Sequence, residues 1–336
     1  MVHVICCKKF YSITINKYEN GLNEVRKLLK IAIIGRTEIL YNSALLLRQA
    51  DFEIVSILTA KEEPEYKIVP GDFEELAKNW NIPFEQGSKI AQHEDFLRAC
   101  AADIAVSMNY TGIIPQSIID IFPLGILNIH GGDLPRYRGN ACQAWAILNG
   151  ESKIALCVHR MIGGELDSGD IVARDYLEID HTTKVTAVWN WFTERAPKLM
   201  VEAIKQLILD PSYVMIRQSK NPQDVLRCYP RRPEDGRINW NSSALEVLRL
   251  INASNKPYAG AFCECKGKKL IIWDAELVED GELYCAIPGQ VTKICQNGSV
   301  EIATLSGKLR LLDVESDKIR SKPSPSFIRS LRDRLS

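Results

Sequence analysis

KIAIIGRTEILYNSALLLRQADFEIVSILT, residues 30–59, places two short apolar runs either side of a stretch with helical spacing. KIAIIG is an unbroken strand-like run ended by Gly35. ILYNSALLLRQA repeats its apolar residues every three to four positions, and EIVSILT is a second buried strand. Strands apolar on both faces need cover on both faces, and a helix between two of them is the crossover of a parallel pair. The alternation continues through a helical FEELAKNW, then IPF, then the strand DIAVSM at 103–108. LGILNIH (124–130) is the next strand, AWAILNG a helix ending at Gly150, and IALCVHRM (154–161) a strand again. The expected fold is α/β, a Rossmann-like, mostly parallel sheet with helices on both faces.

Downstream the texture changes. TKVTAVWNWFTERAPKLMVEAIKQLIL (183–209) is one long helical stretch that Pro197 should kink or break. NPQDVLRCYPRRPEDGRINW (221–240) is rich in proline, charge and turn residues and reads as a linker. A helix from about Ser242 to Asn252 follows, and then KKLIIWDAEL, GQVTKIC, SVEIATL and KLRLLDV, short alternating strands separated by Gly and Asn turns. That pattern suits a small β-barrel-like (OB-like) domain. The expected layout is an N-terminal extension (1–29), a catalytic domain (30–215), a linker (216–236), a β-rich domain (237–318) and a tail (319–336). From Lys318 to Arg334 the chain carries six basic residues against one acid, and this end is expected to be dispensable for catalysis.

The 336 residues hold 42 basic and 42 acidic side chains, a formal net charge of zero. That argues against nucleic acid or an anionic membrane as a partner of the whole surface. The ten cysteines include no C-x-x-C pair and read as reduced thiols of a cytoplasmic protein. Cys263 and Cys265 have no companions at zinc spacing, so no metal is expected. No apolar run approaches the ~20 residues needed to span a bilayer, and residues 1–28 lack the apolar segment and cleavage site of a secretory signal.

The strand LGILNIH ends on a chemical pair. Residues two apart in a strand face the same side, so Asn128 and His130 project together over the strand tip. An imidazole exchanges protons near neutral pH, and a side-chain amide donates to a developing oxyanion. Gly131 and Gly132 then let a ligand approach the backbone. Asp167, in the loop GGELDSGDIV (163–172), supplies a carboxylate, and a carboxylate beside an imidazole raises its pKa and orients it. Asn, His and Asp together suit attack of an amine on a carbonyl. On residue types alone, a polar strand end without catalysis is the commoner explanation of such a pair. His159, on an apolar strand, reads as a core or supporting histidine. Arg136 and Arg138 read as turn arginines or phosphate ligands, and Trp145 as a packing residue or an acceptor contact.

N-x-H (128–130), L-P-x-Y-R-G (134–139), W-A-I-x-N-G-E (145–151), H-R-M (159–161) and L-D-x-G-x-I (166–171) follow one another in an order that resembles the N10-formyltetrahydrofolate-dependent formyltransferases. The similarity runs from about residue 30 to 211. The R-R-P-E-D-G-x-I-x-W entry at 231–240 is similar to the C-terminal domain of the transfer-RNA and sugar-nucleotide members. The resemblance implies that Asn128 stabilises the oxyanion, His130 transfers the proton and Asp167 is the partner of His130. It implies that Gly112, Ile113 and Ile114, with Gly163, Gly164, Glu165, Leu166 and Asp167, line the folate pocket. Asn140 stands where some members have an Arg that contacts cofactor. Gly132-Asp133-Leu134-Pro135 departs from the family's Ser-Leu-Leu-Pro, which bears on the acceptor side.

The implied reaction takes a formyl group from N10-formyltetrahydrofolate, as co-substrate and without a metal, to the amine of a nucleotide-linked amino sugar. Transfer-RNA members carry a basic insertion after the second strand, where this chain has the acid-rich KEEPEYKIVPGDFEEL. Cys142-Gln143-Ala144-Trp145 likewise resembles the sugar-nucleotide members. Formylation of methionyl transfer RNA is the alternative acceptor chemistry, and hydrolysis of the formyl-folate a third. Homodimerisation is left open. A nicotinamide dehydrogenase is excluded, because IIGRTEI lacks the glycine fingerprint.

Overall fold

The structure, a computed structural model, describes residues 29–279, 281–321 and 328–336, so nearly all of the N-terminal extension and part of the tail lie outside the described residues. The first half of the chain runs β1 (Lys30–Gly35), α1 (Glu38–Gln49), β2 (Glu53–Thr59), α2 (Pro70–Trp80), β3 (Phe84–Gln86), α3 (Glu94–Ala99), β4 (Ile104–Met108), α4 (Gln116–Ile119) and β5 (Ile126–His130). Then come β6 (Arg138–Gly139), α5 (Cys142–Asn149), β7 (Lys153–Arg160), β8 (Ile171–Glu178) and α6 (Val185–Leu209).

Seven strands form one sheet in the order β3-β2-β1-β4-β5-β7-β8. The first five are parallel. β7 returns antiparallel to β5, and β8 antiparallel to β7. Side chains alternate between two cores. Ile31 and Ile33 pack with α1, α2 and α6, while Ala32 and Ile34 pack on the opposite face with Leu97 of α3 and Ile118 of α4. The winding reverses between β1 and β4. In open α/β sheets the crevice at such a reversal, outside the carboxyl ends of the strands, is where ligands bind.

Two expectations change. α6 runs through Pro197 as one 25-residue helix, with Ala196, Pro197, Leu199 and Met200 buried. Burial along the whole helix face outweighs one missing N–H. The expected linker is anchored at its centre. Arg227–Cys228 forms β9 alongside β6, and Cys228 is buried.

The remaining chain forms α7 (Ala244–Ala253) and β10 (Ala261–Cys265), β11 (Lys268–Val278), β12 (Val291–Ile294), β13 (Val300–Ala303), β14 (Lys308–Ser316) and β15 (Ile319–Ser321). Ser243 caps α7 reciprocally with Glu246, as the sequence S-A-L-E allows. The strands make an antiparallel sheet ordered β10-β11-β14-β13-β12, with β15 on β14. The end of the chain closes this sheet. Glu264 and Ser336 exchange both backbone hydrogen bonds, Leu335 N–H donates to Gly289 O, and Val291 N–H to Asp333 O. Ile328 and Leu335 are buried in the core of this unit. The two units touch through α5 and α7, and Gln143 Nε2 donates to Tyr258 Oη at 2.6 Å.

Candidate active site

β5 carries Asn128 and His130 to the carboxyl end of the sheet, while Leu127 and Ile129 enter the core behind them. Gly131 and Gly132 continue the strand under close contact. A Cβ on Gly131 would stand 2.3 Å from the Phe192 ring, and one on Gly132 2.3 Å from Tyr137 O and 2.5 Å from His130 Nε2. His130 is buried, and its two ring nitrogens face two acceptors. Nε2 lies 2.7 Å from Tyr137 O, and Nδ1 lies 3.5 Å from Asp167 Oδ2. A neutral ring donates to only one of them, and a second hydrogen, gained when the ring takes a proton, satisfies both. The Cys142 thiol donates to the same Tyr137 carbonyl at 2.9 Å.

Asp167 joins the pair from the loop after β7, at φ +48. Gly139 N–H donates to Oδ2 at 2.9 Å, so the Y-R-G turn and the L-D-x-G loop meet on one carboxylate. Burial pushes the Asp167 carboxyl up, but His130, His159 and the Gly139 N–H outweigh it and hold the group well below the usual carboxylate range. Gln218 Nε2 fixes the loop by donating to the backbone carbonyls of Asp167 and Gly169. Arg138 braces Gln218 in turn, at 2.8 Å.

His159 is the residue that pattern alone undervalues. It sits on β7 directly across from Asn128, almost fully buried. Its Nδ1–H donates to Arg160 O at 2.9 Å. Its Nε2 lies 3.1 Å from Asn128 Nδ2 and 3.4 Å from Asp167 Oδ1. With Nδ1 protonated, a neutral ring accepts one Asn128 amide hydrogen and leaves the other for a ligand. His159 therefore holds the amide beside the carboxylate, a position that only the antiparallel register of β5 and β7 creates.

The segments expected to line a folate pocket come together. Gly164 N–H donates to Ile114 O at 3.3 Å, and Gly163 N–H to Gln116 Oε1 at 2.8 Å. Gly112 and Gly164 both have positive φ, and nothing stands within 4 Å of where a Cβ would be, so the two loops border open space. Ile113 and Glu165 are exposed there, and Leu166 is half-buried next to Asp167. Asn140 is exposed, with its backbone N–H on Cys228 O. Arg136 instead pairs with Glu151 at 3.0 Å, and the Trp145 indole donates to Tyr229 O at 2.9 Å. No group of three or more His, Cys, Asp or Glu that could hold a metal ion occurs among the described residues. Nor is any helix among them long and apolar enough to cross a membrane.

Residues 29–204 match the family model of formyl transferase, and residues 231–332 that of the formyl transferase C-terminal domain. A methionyl-tRNA formyltransferase of Acetivibrio thermocellus is 28% identical over 306 residues, 89% of this chain and 96% of that protein. HypX from Aquifex aeolicus, solved in complex with tetrahydrofolic acid, is similar over 87% of this chain and 46% of its own, at TM-score 0.56 and 19% identity. This chain thus spans about half the length of HypX. An N-formyltransferase from Helicobacter canadensis, solved with folinic acid and dTDP-3-aminofucose, is similar over 84% of this chain and 98% of its own, at TM-score 0.64 and 16% identity. At these identities the two solved structures speak for the fold.

Proposed function

This chain belongs to the formyl transferase family, and from that premise we propose that it moves the formyl group of N10-formyltetrahydrofolate to the amine of a nucleotide-linked amino sugar. The open space beside Gly112–Ile114 and Gly163–Asp167, with exposed Ile113 at its edge, fits an aromatic folate. The bound co-substrate supplies a formyl carbon on a nitrogen leaving group. The chain supplies the rest. As the acceptor amine adds to that carbon, the free Asn128 amide hydrogen donates to the oxygen gaining negative charge. His130 takes a proton from the amine and returns it to the departing nitrogen, so one C–N bond forms, another breaks and protons balance. Asp167, kept ionised, stabilises the His130 cation between those two transfers.

One observation carries the choice of acceptor. The loop after β2, residues 60–69, bends over the carboxyl end of the sheet with an excess of acid, and Glu63 pairs with Arg36 at 2.8 Å. Stable contact with transfer RNA needs several unneutralised cations near its phosphates, and this loop removes one of them. Transfer-RNA formylation is the second reading, favoured by the name of the 28%-identical relative.

Incubation with N10-formyltetrahydrofolate and a panel of dTDP- and UDP-linked amino sugars, read by mass, tests the proposal. The expected result is a gain of one formyl group on a member of the panel, reduced about 10²- to 10³-fold in rate by Asn128→Ala. Formylation of methionyl transfer RNA with steep salt dependence, and of no sugar, would replace the first reading by the second.

A further inference from the structure

Over the carboxyl end of β1 lies a cleft of about 480 Å³, bordered by Glu38 and Asn42 of α1, Trp189, Asn190, Thr193 and Glu194 of α6, and Lys67 and Ile68 of the loop after β2. It occupies the reversal point of the sheet, where α/β folds receive ligands, but the catalytic network described above uses none of these residues. Glu38 is the anomaly within it. The side chain is 7% exposed, at the start of α1. Trp189 Nε1–H donates to its Oε1 at 2.8 Å, and Oε2 is buried with no donor among the described residues. A carboxylate oxygen removed from water and left without a donor carries a substantial penalty. The terminal torsion of Glu is soft, so a donor entering the cleft can be met by rotation of the carboxylate alone.

Resting on the amino-sugar reading, we infer that this cleft is the subsite for the sugar ring and that Glu38 accepts a hydrogen bond from a ring hydroxyl. The Glu38 carboxylate repels an anion placed against it, whereas the cation of the lining, Lys67, is exposed. The two amides and the Thr193 hydroxyl offer the mixed donors and acceptors that a polyol needs, with the Trp189 indole held in the wall. The wall leads to the catalytic strand. Trp189 is one turn before Phe192, whose ring packs against Gly131 next to His130. β1 and β5 are separated by β4 alone, so their carboxyl ends stand roughly 9.5 Å apart across the sheet. The folate-side loops follow β4 and β7, so the sugar would approach Asn128 from the other side.

Equilibrium binding to the full chain tests this, with dTDP-3-aminofucose and UDP-glucosamine as probes and dTDP and UDP as controls. Glu38→Gln keeps an oxygen for the Trp189 indole but replaces the other acceptor by a donor. Affinity for the amino-sugar nucleotide should fall about 10-fold or more while affinity for the free nucleoside diphosphate stays the same. Equal losses on both, or no loss, would overturn the assignment. Should Glu38→Gln fail to fold, Asn42→Ala must give the same sugar-selective loss, and its absence overturns the assignment too. If the wild-type chain binds neither amino-sugar nucleotide, the acceptor reading and this subsite fail together. Retained wild-type binding with no selective loss defeats the subsite alone.

Discussion

Asp167 accepts the Gly139 N–H on a carboxyl group that also faces the rings of His130 and His159. Its folded-state pKa lies below the ordinary value, so the resulting stability is fully present above about pH 4 and is lost as the pH falls through the depressed value. Asp167→Asn should therefore destabilise the protein by about 2 kcal/mol at pH 7 and by less at pH 3. Urea unfolding at both pH values measures the difference. A penalty that stays the same at pH 3 would mean that the ionised carboxylate is not what the two imidazoles hold. The same variant should also turn over at least tenfold more slowly, because His130 loses its anionic partner.

An element, not a residue, gives the site its precision. β5 ends in two glycines because the chain turns back under His130, and Gly132 has no room for a methyl group between Tyr137 O and His130 Nε2. Gly132→Ala must move the ring or the turn that carries Tyr137. The expected outcome is a kcat about 100-fold lower, the usual cost of displacing a catalytic group by an ångström, with a stability loss of about 1–3 kcal/mol. Steady-state kinetics and urea unfolding on one preparation separate the two effects. Wild-type kcat in this variant would show that His130 does not need the position it holds here.

In the whole molecule, charge distribution misleads about the tail. Its basic composition suggests a solvated appendage, yet Ile328 and Leu335 are buried, and residues 333–336 bond the edges of β10 and β12. Removing residues 328–336 takes two buried apolar side chains out of the core, each worth about 1.5–3 kcal/mol, and opens two strand edges. The truncated chain should melt earlier, with the C-terminal unit losing about 3–6 kcal/mol. Calorimetry of full-length and truncated proteins decides this, and an unchanged transition would return the tail to the role of appendage.

Local pattern determined the strands and helices of the first unit, because runs that are buried on both faces announce themselves in KIAIIG, EIVSILT and DIAVSM. It also determined that Asn128 and His130 share a face, since period two is a property of any strand. The approach of Asp167 to His130 came from the family resemblance, not from spacing, as 37 residues separate them. Three things belong to the tertiary structure alone. His159 joins the network only through the β5–β7 register, α6 stays whole at Pro197 because its surroundings bury it, and the tail closes a sheet whose edges lie far from it in sequence. Each depends on contacts between residues distant along the chain, and no local periodicity encodes such contacts.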